Sequence, residues 1–305
     1  WGEFGGFKHP NALRYECAAM MAFGAKCSVG DQLHPSGKLD ESTYNLIGQA
    51  YAEVEQKEPW CDNVENVAEI GLLTAAAVNA SSSREIPGDI GAGRILLEGH
   101  FLFDVIDLDA DFKKYKLLIL PDDIRIDAKL KKRLDTFLGR GGRLLLSGRS
   151  GLDDDGKFLF DIGAECKGLS PFRPDYVRLD ESVCPDTVKS PMVMYLPSYR
   201  VKVKDGKSLG DVHDTYFNRT DYQHFCSHQH TPYRLEASGF AAGVMKGGIM
   251  YLAHPVFSIY RGWGCVPVAE YLRKAVRLIL GENSIETNMP STARLNLMNQ
   301  PENKR

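Results

Sequence analysis

Two short apolar runs, Leu117-Leu118-Ile119-Leu120-Pro121 and Leu144-Leu145-Leu146-Ser147-Gly148, do most to limit what this chain can fold into. Both are strand-length and neither alternates with polar residues, so they read as strands of a parallel sheet covered on both faces. Residues 127–138 between them have helical spacing, and Gly139-Arg140-Gly141-Gly142 ends the helix, which gives a strand-helix-strand unit. The same alternation starts earlier: strands are predicted over 67–73 and 104–108 and a helix over 91–102. Residues 151–235 are less regular. Residues 243–253 return to hairpin-like strands before a long helix over 266–280, and residues 292–298 read as one more strand.

Ahead of residue 66 the pattern changes. Leu13, Cys17, Met20 and Met21 recur at helical spacing, Gly24 is placed as a C-cap, and residues 25–29 read as a strand leading into Gly30-Asp31-Gln32-Leu33-His34-Pro35. A second helix is predicted from Leu39 to about Gln56, with acidic residues in its first turn where the helix dipole favours them. A β-α unit of this kind is the building block of a (β/α)8 barrel, which needs about 250 residues, so residues 1–65 are expected to be the C-terminal part of a TIM-type barrel. Residues 66–285 are then an α/β domain, and residues 286–305 the start of a further β segment or a tail. If the barrel is incomplete, the chain alone is expected to be inactive and prone to association through unpartnered apolar faces.

Composition narrows the function classes. The 305 residues are 43% hydrophobic, enough for one or two substantial cores. A net charge of −3 with dispersed Lys and Arg offers no basic face for nucleic acid. No apolar run approaches the roughly 20 residues that span a bilayer. The seven cysteines are widely spaced with no CxxC pair, which argues against a disulfide framework or a zinc ribbon and favours a reducing compartment. No cofactor is implied.

The segment from Leu117 to Gly148 resembles the trimerisation domain of family 42 β-galactosidases, a member of the class I glutamine amidotransferase-like group with a flavodoxin-like parallel sheet, and the likeness runs over about residues 66–282. Catalytic amidotransferases carry a nucleophilic cysteine in the turn after this strand and His-Pro-Glu after a later one. Here the turn reads Ser147-Gly148-Arg149-Ser150-Gly151 and the later strand Tyr251-Leu252-Ala253-His254-Pro255-Val256. A nucleophile needs a base and the base an orienting group, and two of the three are missing. A weaker alternative pairs Ser147 or Ser150 with His254. Gly30 to Pro35 followed by Glu58-Pro59-Trp60 resembles glycosyl hydrolases, β-galactosidase- or α-L-fucosidase-like, that carry this domain after their barrel. The resemblance implies a carbohydrate substrate and a homo-oligomer, with a trimer as the simplest case. The other reading is a non-catalytic carbohydrate-binding or assembly module.

Barrel sites lie at the C-terminal ends of strands, which would put Asp31, Gln32 and His34 at the substrate rim. Asp31 reads either as a catalytic carboxylate or as a cap, and His34 as a sugar ligand or a packed surface residue. Glu3 is the other catalytic candidate, with the aromatic neighbour Trp1 as a stacking platform. A second site candidate is His224-Phe225-Cys226-Ser227-His228-Gln229-His230: in an extended segment these histidines would share one face, as a polar loop offered to the barrel mouth or to a neighbouring subunit, or with Cys226 as metal ligands. The loop reading is preferred and no metal site is assigned; His224, His228 and His230 are taken as substrate-binding.

Overall fold

The computed structural model describes residues 3–80, 83 and 85–303. The chain divides into two compact units, Trp1–Val67 with Pro290–Arg305, and Ala68–Met289.

In the first unit, helices α1 (Pro10–Ala22) and α2 (Glu41–Cys61) pack on each other, followed by a short strand β1 (Glu65–Asn66). α1 starts where the chain permits it: His9 accepts a hydrogen bond from the Asn11 amide, and a proline occupies the first turn, where its missing N–H costs nothing. Asp40 caps α2 by accepting from the Ser42 amide. Leu13, Cys17, Ala50 and Val54 form a small core, with Cys27 and Val29 packed against it. The strand expected over 25–29 does not form, because those residues have no ladder partner among the described residues; Cys27 and Val29 pack on the helix core instead. The strand expected over 292–298 shrinks to a pairing of Met298–Asn299 with β1.

The second unit contains, in order, β2 (Ile70–Leu73), α3 (Ala75–Val78), α4 (Pro87–Glu98), β3 (Phe103–Ile106), β4 (Leu117–Leu120), α5 (Ala128–Leu138), β5 (Arg143–Ser147), β6 (Ala164–Leu169), β7 (Asp175–Leu179), β8 (Met192–Met194), β9 (Tyr199–Val203), β10 (Lys207–Ser208), β11 (Gly210–His213), β12 (Gly243–Lys246), β13 (Ile249–Leu252), α6 (Val256–Trp263) and α7 (Val266–Leu280). Met298–Asn299 of the first unit is β14. Among the described residues the main sheet runs β10-β12-β13-β5-β4-β2-β3; β13, β5, β4, β2 and β3 are mutually parallel, and β10 and β12 are added antiparallel. Smaller antiparallel sheets, β11-β7-β8 and β6-β9, fill the region that the sequence left irregular. The predicted helix over 91–102 lies earlier, at Pro87–Glu98, since Pro87 opens it and Gly99 closes it before His100 turns the chain at φ 57°.

The apolar strands are buried on both faces, as their composition requires. Leu117, Ile119 and Leu145 point into a core shared with α4, α6 and α7, while Leu118, Leu120, Leu144 and Leu146 point into a second core closed by Leu130, Leu134 and Phe137 of α5. Each such side chain contributes on the order of 2 kcal/mol by burial. α4 and α6 approach each other tightly at Gly91, where a Cβ would lie 2.0 Å from the Phe257 carbonyl oxygen. Gly91→Ala is therefore expected to cost about 1–3 kcal/mol by forcing the helices apart. Urea unfolding of the two proteins measures this; equal midpoints would mean that the helices separate freely.

Candidate functional site

The first unit holds a recess of about 470 Å³ whose walls include Glu3, Asp31, Gln32, His34, Lys38 and Asp40. It is built from two turns and a helix start. The Gly6 amide donates to the Glu3 carbonyl, folding the Glu3 side chain back over Gly6, and the Gly37 amide donates to the His34 carbonyl. The Asp31 carboxylate accepts from the Gln32 amide at 2.8 Å, and its second oxygen accepts no hydrogen bond among the described residues. Asp31 is half-buried, whereas Gln32 and His34 are exposed. His34 Nδ1 lies 2.7 Å from Ser36 Oγ and accepts from the Ser36 amide at 3.1 Å, and the Phe4 ring meets the imidazole edge-on, centroids 5.8 Å apart. The fold thus brings Glu3, Asp31, Gln32 and His34 together around one recess. Trp1, expected as a stacking platform, lies outside the described residues.

The histidine-rich segment of the second unit does not form the expected extended face. It is a series of bends, because Asp221 captures the His224 amide and ring Nδ1 at 3.0 and 2.9 Å, and Arg219 donates to the carbonyls of His228 and Gln229. The His224 ring, in turn, holds the exposed Asp221 carboxyl below its usual range. His230 instead faces Tyr195 edge-on at 5.5 Å, and Tyr195 is stacked on Trp263, centroids 4.5 Å apart. His228 engages through its backbone carbonyl. Among the described residues no three His, Cys, Asp or Glu side chains are placed to hold a metal ion.

The turn after β5, Ser147 to Gly151, carries no cysteine. Gly148 has φ 56°, and a Cβ there would lie 2.7 Å from the Asp122 carbonyl oxygen, so no side chain fits at that position. Ser147 is fully buried, donating to Asp122 Oδ1 at 2.7 Å and accepting from the Asp122 amide; Ser150 is equally buried and accepts from the Ile124 amide. Neither serine bonds His254, which corrects the expectation that one of them pairs with it. His254 Nε2 instead donates to Asp175 Oδ1 at 2.5 Å, and Asp175 Oδ2 accepts from Ser198 Oγ at 2.7 Å. Burial alone would raise the Asp175 pKa, but the imidazole and the Ser198 donors outweigh it and hold the carboxyl below its ordinary 3.8. Sequence reasoning found His254 and missed Asp175 and Ser198, which lie on separate elements and share no local motif with it.

The β-galactosidase trimerisation domain matches residues 94–167. This chain is similar to glycoside hydrolases. Alpha-L-fucosidase isoenzyme 2 from Paenibacillus thiaminolyticus is 43% identical, with TM-score 0.94 over 99% of this chain and 46% of that one. The cold-adapted β-galactosidase from Rahnella sp. R3 is 14% identical (TM-score 0.63, 95% of this chain, 45% of that one), and the β-galactosidase from the Antarctic haloarchaeon Halorubrum lacusprofundi is 16% identical (TM-score 0.61, 96% and 44%). These two galactosidases share the fold. The chain spans less than half the length of each of these relatives. No curated protein matches the sequence. No helix among the described residues is long and apolar enough to cross a membrane.

The buried Asp175–His254 pair yields a pH prediction. A carboxyl whose folded pKa is depressed stabilises the fold above its unfolded pKa and loses that contribution as pH falls through the folded value. Asp175→Asn should therefore cost about 3 kcal/mol at pH 7. The gap from the parent protein should narrow only below about pH 4. Urea midpoints across that range measure it, and a gap independent of pH would show that the pair carries no net charge interaction.

Proposed function

We propose that this chain is the part of a glycoside hydrolase that joins the C-terminal end of a TIM-type barrel, residues 1–65, to an amidotransferase-like domain, residues 66–285. The amidotransferase-like domain, flavodoxin-like in its sheet, has lost its own chemistry and serves oligomerisation and active-site support. The observation that carries the reading is the 43% identity to an α-L-fucosidase along nearly all of this chain. It favours an α-L-fucoside over a β-galactoside as substrate, since the galactosidases are alike in fold only.

Within that reading Glu3 and Asp31 are the carboxylate candidates. Glycosidases use two carboxyl groups, about 5 Å apart for retention and roughly 6.5–9.5 Å for inversion. The half-buried, one-sidedly bonded Asp31 suits such a role better than a pure cap. Gln32 and His34 supply donors and acceptors for sugar hydroxyls, and His224, His228 and His230 form a supporting polar loop. The match to a trimerisation domain supports a homo-oligomer built through the second unit.

The test is turnover of aryl glycosides by the protein joined to a complete barrel. Hydrolysis of the aryl α-L-fucoside is expected, with Glu3→Gln or Asp31→Asn lowering kcat by about 10²- to 10⁴-fold. Full activity in both variants would remove these residues from the chemistry, and a total lack of both turnover and sugar binding would leave the assembly-module reading.

A further inference from the structure

A cavity of about 890 Å³ lies in the second unit beside the N-terminal ends of β4 and β5, away from Gly148 and His254. In open α/β sheets ligands ordinarily bind at the other end, outside the carboxyl ends of the strands. Its walls carry six cationic side chains, Lys113, Lys116, Lys132, Arg133, Arg140 and Arg143, against two carboxylates, Asp111 and Glu282. This imbalance arises in a chain whose net charge is −3.

Three of the cations are already committed. Arg133 donates to the carbonyls of Leu108 and Ala110 and lies over the Phe112 ring, 4.0 Å from its centroid. Arg143 donates to the carbonyls of Ile279 and Leu280 at 2.8 and 2.7 Å, closing the C-terminus of α7, and Lys116 pairs with the buried Glu69. These contacts hold the two guanidinium groups in place before any ligand arrives. Lys113, Lys132 and Arg140 have no acidic partner among the described residues, so the wall concentrates unneutralised positive charge that an anion would relieve.

We propose that this cavity binds a saccharide bearing sulfate or phosphate groups, with Lys113, Lys132 and Arg140 taking the anionic groups and the half-buried Tyr115 ring lining the wall. The volume is that of a site for a small organic ligand and far exceeds what an inorganic anion fills. The choice of a saccharide rests on the glycoside hydrolase reading; the charge does not.

Isothermal titration calorimetry on the purified protein tests this with sucrose octasulfate, sucrose and inorganic sulfate as probes. Sucrose octasulfate should bind, weaken with added salt, and bind about tenfold more weakly to a Lys113→Ala/Lys132→Ala/Arg140→Ala variant, while sucrose should not bind. Equal affinity in the variant, no binding at all, or inorganic sulfate binding as tightly as the sulfated sugar would each overturn the proposal. Aryl glycoside turnover by the protein joined to a complete barrel separates the two readings: octasulfate binding without turnover there would sink only the hydrolase assignment, and turnover without binding only the cavity.

Discussion

The structure of the second unit depends on one constraint: its central strands are apolar on both sides, so both faces of the sheet must be covered. β4 and β5 cannot be left with one face in water, and α4, α6 and α7 on one side with α5 on the other satisfy them. Covering both faces leaves the ends of the strands as the places where polar groups can gather. At the C-terminal ends lie Gly148, Asp122 and the Asp175–His254–Ser198 cluster; at the N-terminal ends lies the cationic cavity.

The polar groups at the C-terminal ends are spent on structure. Asp122 accepts from Ser147 Oγ and, through its other oxygen, from the amide and hydroxyl of Ser258, which pins β5 to the start of α6. Burial raises its pKa despite those donors, the expected behaviour of a carboxylate enclosed among apolar residues. His254 is tied to Asp175, and its Nδ1 is buried with no partner among the described residues. The turn after β5 is thus occupied by buried, hydrogen-bonded serines and a glycine whose φ and close neighbours exclude a side chain at position 148.

Much of this was legible in the sequence because the parallel strands and amphipathic helices are local patterns. The helix over 266–280 was predicted at its observed bounds, and β4 and β5 to within a residue or two. The misses have physical causes. Residues 25–29 have strand-like composition, but a strand needs a ladder partner and that unit supplies none. Alternation of His224, His228 and His230 suggested one face, but Asp221 and Arg219, a few residues upstream, bend the segment through their own hydrogen bonds. The cationic cavity draws Lys113, Lys132, Arg140 and Glu282 from four separate stretches, so no run of sequence announced it. That Glu3, Asp31, Gln32 and His34 line one recess was legible because three of them are close in sequence and the fourth lies near the start of the same unit.

We propose that the recess around Glu3 and Asp31 is part of a sugar site. The most direct measurement is a crystal structure of the barrel-containing protein with α-L-fucose bound. The sugar is expected within hydrogen-bond distance, about 3 Å, of the Asp31 carboxylate and His34. Fucose bound with neither Asp31, Glu3 nor His34 in contact would contradict it.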